Sequence, residues 1–107
     1  MAQIIWAGSA LSDLDAIAEY IALDNFTAAQ KLVKHVFDSV DRLNQFPESG
    51  RIPPELNGSK YREIIIKPCR VFYRYDSRQS KVYIIYVMRG ERLLRKYLID
   101  ERAKLKN

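Results

Sequence analysis

Between Ala29 and Phe46 the apolar residues recur at helical spacing, and the chain that follows cannot continue the pattern. Ala29, Leu32, Val33, Val36, Phe37, Val40, Leu43 and Phe46 form one stripe, with Lys31, Lys34, His35, Asp38, Asp41, Arg42 and Gln45 opposite. A helix sided in this way must lay its stripe against another element. Then comes "FPESGRIPPELNGSK", where Pro47, Gly50, Pro53, Pro54 and Gly58 enforce a long loop. Beyond it the apolar runs are short and rich in Ile, Val, Tyr and Phe, the composition of strands. A helical first half and a strand-rich second half define an α+β chain.

The remaining segments complete the order. "QIIW" (Gln3–Trp6) is short, partly β-branched and followed by Gly8, so it reads as a first strand. "SALSDLDAIAEYIALD" then places Leu11, Leu14, Ile17, Ala18 and Ile21 on one side of a helix, with Ser9 or Ser12 as its expected cap. "DNF" separates it from the long helix, which Asn25 or Thr27 can cap. So short a connection implies an antiparallel helical hairpin. Residues 61–67, Cys69–Asp76 and residues 82–88 read as a meander of antiparallel strands. "ERLLRKYLIDERAKL" reads as a basic C-terminal helix. The expectation is a single domain over residues 1–107: N-terminal strand, helical hairpin packed on a small, mainly antiparallel twisted sheet, and C-terminal helix.

The meander strands are apolar on both faces. In "CRVFYRYD", Val71, Tyr73 and Tyr75 share one face, while Phe72 lies between Arg70 and Arg74 on the other. Simple alternation likewise sets Ile64 and Ile66 against Ile65, and Ile84 and Tyr86 against Ile85 and Val87. One face covers the hairpin. The other is either a binding surface or the seat of the C-terminal helix.

Charge is divided along the chain, whose formal net charge is +5. Residues 1–59 carry four basic against eight acidic groups, a balance of −4, and residues 60–107 carry fourteen against five, a balance of +9. A half-chain this basic points to a polyanionic partner, whether nucleic acid, an acidic protein segment or a membrane surface. No apolar run approaches the ~20 residues of a membrane span, and no basic leader precedes an apolar stretch, so a cytoplasmic protein is expected. Cys69 stands alone, so no intrachain disulfide forms.

Much common chemistry lacks its residues. The glycines are scattered, with no phosphate-cradling loop. One His and one Cys make no zinc site, and His35 lies on the polar stripe. Asp13, Asp15 and Glu19 read as surface charges complementing the helix dipole. No metal or cofactor is expected. What remains is Arg, Lys and Tyr, groups that bind phosphates, stack on bases and stabilise a developing phosphorane. Cleavage of RNA by its own 2′-hydroxyl would further require one of them to accept a proton, through a strongly lowered pKa.

"ALSDLDAIAEYIA", "FPESGR", "YREIIIKPCRVFYRYD" and "VYIIYVMRGERLLRKYL" together resemble the RelE/ParE family of bacterial toxin–antitoxin toxins, over nearly the whole chain. The resemblance implies a small cytoplasmic growth inhibitor silenced by a cognate antitoxin, in a hetero-oligomer that binds operator DNA through the antitoxin. In the ribonuclease branch, which cuts messenger RNA on the ribosome, Arg70, Arg89 and Tyr97 would be the catalytic counterparts. The paired lysines of that branch have no match in "RIPPELNGSK", and its histidine would fall near Glu91. The helical hairpin and "FPESGR" look more like the branch that blocks DNA gyrase without cleaving nucleic acid. A ribosome-dependent or DNA-cleaving endonuclease is the alternative. Lys60, Arg62, Lys67, Arg74, Arg92, Arg95 and Lys96 are the candidate residues for binding the target or nucleic acid.

Overall fold

In the computed structural model the described residues are 1–90 and 96–105, with side chains of the last helix described over 98–104. The elements follow the expected order: β1 (Gln3–Trp6), α1 (Gly8–Ala22), α2 (Phe26–Asp41), β2 (Tyr61–Ile66), β3 (Cys69–Asp76), β4 (Lys81–Arg89) and α3 (Lys96–Leu105). A single 3₁₀ turn at Arg42–Asn44 precedes the long loop, and another, Pro54–Leu56, lies within it. The sheet order is β1-β4-β3-β2. β1 runs parallel to β4, while β2, β3 and β4 are antiparallel.

α1 begins without the expected serine cap. The Ala7 N–H donates to the Ile84 carbonyl at 2.9 Å, tying the end of β1 to β4, and the Ala7 carbonyl then accepts from Ala10 and Leu11. The helix therefore starts directly from the strand, with Ala7 as its N-cap. For α2 the expectation holds: Asn25 Oδ1 accepts from the Ala28 N–H at 2.9 Å, satisfying one orphan donor of the first turn.

The hairpin packs its stripe on one sheet face. Leu14, Ile17, Leu32, Val36 and Val40 meet Val71, Tyr73, Val82, Ile84 and Val87 in the main core. Tyr73 is buried there with its hydroxyl as acceptor for the Gly50 N–H at 2.9 Å, which pins the start of the loop to the sheet.

A register shift breaks the alternation in β4. Phe72 pairs with Tyr86, but Tyr73 pairs with Ile84, leaving Ile85 as the extra residue of a bulge. Ile84 and Val87 therefore face the hairpin, while Ile85 and Tyr86 both turn to the opposite side. The simple alternation expected for β4 is corrected by this one inserted residue. On that opposite face a second, smaller core forms, in which Ile99 of α3 and Leu56 of the loop cover Phe72, Ile85 and Met88. Burying a side chain such as Phe72 or Ile85 contributes roughly 1.5–3 kcal/mol. The C-terminal helix thus seats on part of the face that the sequence left open.

Candidate functional site

Arg70 sits on the outer face of β3, opposite Met88 and beside Phe72. It is 7% exposed, and all three of its side-chain nitrogens donate to carboxylates. Nη1 and Nη2 grip Glu55 at 2.8 and 2.9 Å, and Nε and Nη2 grip Glu63 at 2.7 and 3.1 Å. The Glu63 carboxylate, fully buried, also accepts from Arg51 Nε at 2.8 Å. A buried carboxylate is costly unless it is both paired and hydrogen-bonded, and two guanidinium groups meet that need. Glu55 first and Glu63 second raise the pKa of Arg70 above its ordinary value, against a smaller lowering by burial. Its guanidinium also lies 5.0 Å from the Phe72 ring centroid. A groove of about 690 Å³ opens beside this network, with Ile65 and Lys67 on its walls.

Arg89 lies elsewhere. Its register partner is Cys69, which belongs to the core under the hairpin, whereas Arg70 pairs with Met88 of the outer core. The two arginines therefore point to opposite faces of the sheet. Arg89 lies over Tyr20 of α1, at 5.1 Å from the ring centroid.

The other sequence candidates divide into three sets. Arg74 shares the outer face with its cross-strand partners Tyr61 and Tyr83, and lies 4.8 Å from the Tyr83 centroid. Lys60, exposed, lies 5.7 Å from the ring of Tyr61, so these two cations and two rings form one patch at the end of the sheet away from Arg70. Arg62 turns inward and donates to the Gly50 carbonyl at 2.8 Å, and Lys67 is exposed in the β2–β3 turn. Arg92 and Arg95 lie outside the described residues, as do the side chains of Lys96 and Tyr97. His35 is exposed on α2, and among the described residues no group of three His, Cys, Asp or Glu could hold a metal ion.

Sequence reasoning missed the carboxylates. Glu55 and Glu63 had a readable signal only in part: Glu63 opens an isoleucine run, on the face that Arg70 also occupies. Asp13 had none. Instead of remaining a surface charge, it holds Arg102 of α3 through contacts of 2.6 and 2.8 Å and accepts from the Val87 N–H at 3.2 Å. Arg102 in turn lies 4.6 Å from the Tyr86 centroid.

A hairpin laid on such a mixed sheet is shared by proteins of known class. The chain is 26% identical to a chain of the chromosomal ParDE toxin–antitoxin system from P. aeruginosa, with a TM-score of 0.69, over 85% of this chain and 98% of that one. The RelBE2 toxin–antitoxin complex from Mycobacterium tuberculosis contains a chain with the same fold, at a TM-score of 0.56 and 18% identity, over 82% of this chain and 96% of that one. In sequence, Toxin RelE2 of Caulobacter vibrioides is 33% identical over 93 residues, 87% of this chain and all of the relative. Residues 4–94 match the sequence model of the family described as ParE toxin of type II toxin-antitoxin system, parDE. The chain belongs to that toxin family, with the RelE/ParE fold.

Proposed function

We propose that this toxin arrests growth in the cytoplasm by capturing DNA gyrase through its cationic surface, without cutting nucleic acid, and that a cognate antitoxin silences it. The toxin–antitoxin complex then binds operator DNA through the antitoxin. The observation that carries the binding reading is the state of Arg70. A guanidinium that stabilises a phosphorane must have donors to offer as charge develops. Arg70 commits all three nitrogens to Glu55 and Glu63, and Arg89 points away on the opposite face. Lys60 and Arg74, by contrast, have aromatic neighbours and no carboxylate partner among the described residues, which leaves their charge for an acidic target. The family match and the toxin–antitoxin assemblies named among the structural relatives support an antitoxin as the partner.

The test is one preparation of purified toxin in three assays: supercoiling by gyrase, integrity of plasmid DNA, and integrity of mRNA on translating ribosomes. Inhibited supercoiling with intact nucleic acid is expected. Ribosome-dependent mRNA cleavage abolished by Arg70→Lys or Arg89→Ala would overturn the reading in favour of a nuclease.

A further inference from the structure

The hairpin buries one side of each helix on the sheet, and beside that side it keeps a second apolar face. On α1, Leu11, Ala18 and Ala22 recur at helical spacing, roughly a quarter turn around the helix from the buried Leu14 and Ile17. On α2, Phe26 and Val33 stand in the same relation to Leu32 and Val36. A groove of about 410 Å³ lies between the two helices, lined by Ala18, Ala22, Phe26 and Val33. Phe26 is 65% exposed and Leu11 is 41% exposed, so large apolar side chains stand in water along this face. Among the described residues α3 meets α1 on its other side, through Asp13, and leaves the groove open.

The charges on the two rims fix what fits. α1 carries Asp13, Asp15 and Glu19 and neither Lys nor Arg, whereas the first three turns of α2 carry Lys31 and Lys34 and no acid. Glu19 lines the groove from the α1 side and Lys34 from the α2 side. A face with one acidic and one basic rim is its own complement. We infer that a second copy of this chain binds this face of the hairpin, about a two-fold axis running along the hairpin. That axis lays α1 of each copy on α2 of the other, so Glu19 meets Lys34 twice and each Phe26 packs on the other copy's Ala22. A two-fold axis across the hairpin would instead set Glu19 against Glu19. Lys34 is held at 2.7 Å by Asp38 of its own helix, but both are exposed, and so weak a pair readily admits a second carboxylate. Helices of 15 and 16 residues side by side offer a face about 22 Å long and about 20 Å wide. Two such faces bury roughly 900 Å², the size of a weak, transient interface, so dimer and monomer exchange.

The inference concerns self-association and does not depend on the target of the toxin. The test is sedimentation equilibrium of the whole toxin from about 10 μM to about 1 mM, with amide resonances followed over the same range. A concentration-dependent balance of monomer and dimer is expected, with shifts at Ala18, Ala22 and Val33 and none in β2 or β3. Glu19→Lys and Lys34→Glu, both at exposed positions, each make the two cross-pairs repulsive and weaken self-association at least about tenfold. Mixed in equal amounts, the two variants regain both pairs in one heterodimer, and association recovers. Phe26→Ser, also at an exposed position, weakens it severalfold. A toxin that stays monomeric throughout, single-charge variants that self-associate as well as the parent chain, or mixed variants that fail to recover would each overturn the inference. So would a hairpin face protected only when another protein is added. Gyrase inhibition is scored separately and is expected to survive Glu19→Lys, because the Lys60–Arg74 patch lies on the outer face of the sheet.

Discussion

Asp13 and Arg102 are separated by nearly the whole chain, yet they meet in a two-pronged ion pair at 2.6 and 2.8 Å that fastens α3 to α1. The pair is largely buried, with side chains 15% and 26% exposed, and the neighbouring carboxylate raises the pKa of Arg102 above its ordinary value. Arg102→Met keeps the stem over Tyr86 and removes the charge. It is expected to cost about 1–3 kcal/mol, and to speed amide exchange in α3 while leaving β3 unchanged. Exchange that accelerates equally in both elements would show that α3 is not separately fastened.

Glu63 is the hub of the buried network, bonded to both Arg51 and Arg70. Glu63→Ala leaves Arg70 with Glu55 alone and returns Arg51 to solvent, and is expected to cost about 1–3 kcal/mol in urea unfolding. Arg70→Lys substitutes a compact ammonium for a fork and cannot make the four bonds that Arg70 divides between Glu55 and Glu63, so a loss of about 1–3 kcal/mol is expected. If Arg70 acts only through the fold, toxicity of Arg70→Lys falls in step with the folded fraction. A fully folded but inactive variant would contradict this.

Tyr73 gives the protein an alkaline limit. Burial pushes its phenol above the ordinary tyrosine value, and this outweighs the lowering by the Gly50 N–H. A raised folded-state pKa contributes stability that is complete below the unfolded value of about 10 and is lost as pH rises through the folded value. Melting temperature should therefore drop more steeply above pH ~10 than in Tyr73→Phe. That variant should lose about 1 kcal/mol at neutral pH, because the Gly50 N–H is orphaned.

Gly50 tolerates no side chain. A Cβ there would stand 2.6 Å from Tyr73 Oη and 2.7 Å from the Glu63 carbonyl oxygen. Gly50→Ala is expected to destabilise by about 1–3 kcal/mol, read by thermal unfolding, and to expose the loop to limited proteolysis.

The Lys60–Arg74 patch tests the target reading directly. Reversal of both charges to Glu should leave stability within about 0.5 kcal/mol. It should weaken gyrase inhibition by at least about tenfold. Undiminished inhibition would remove this patch from the target surface.

The order of elements, the hairpin and the two faces of β3 were legible because each rests on local periodicity. Val71, Tyr73 and Tyr75 do face one way, and Arg70, Phe72 and Arg74 the other. The faces of β4 were not legible beyond Ile84, since nothing in "VYIIYVM" marks Ile85 as an inserted residue. The site was less legible than the fold for the same reason. The cations that bear charge could be named from sequence, but whether a carboxylate neutralises each depends on register and on distant contacts. Glu55 reaches Arg70 from a loop, and Asp13 reaches Arg102 from the first helix. Opposite placement of Arg70 and Arg89 likewise followed only from strand pairing.

The extra residue at Ile85 gives β4 one position where its length can change without turning the strand over. Deleting it would close the bulge into a regular ladder, with Ile84 and Val87 still under the helices and Tyr86 and Met88 still on the outer side, at the loss of one buried side chain from the outer layer. Deleting Val87 instead would turn Met88 under the helices and Arg89 to the outer side. An insertion or deletion in the polar 77–80 turn displaces no buried layer, so natural length variation in relatives should concentrate there and, within the strand, at Ile85 alone.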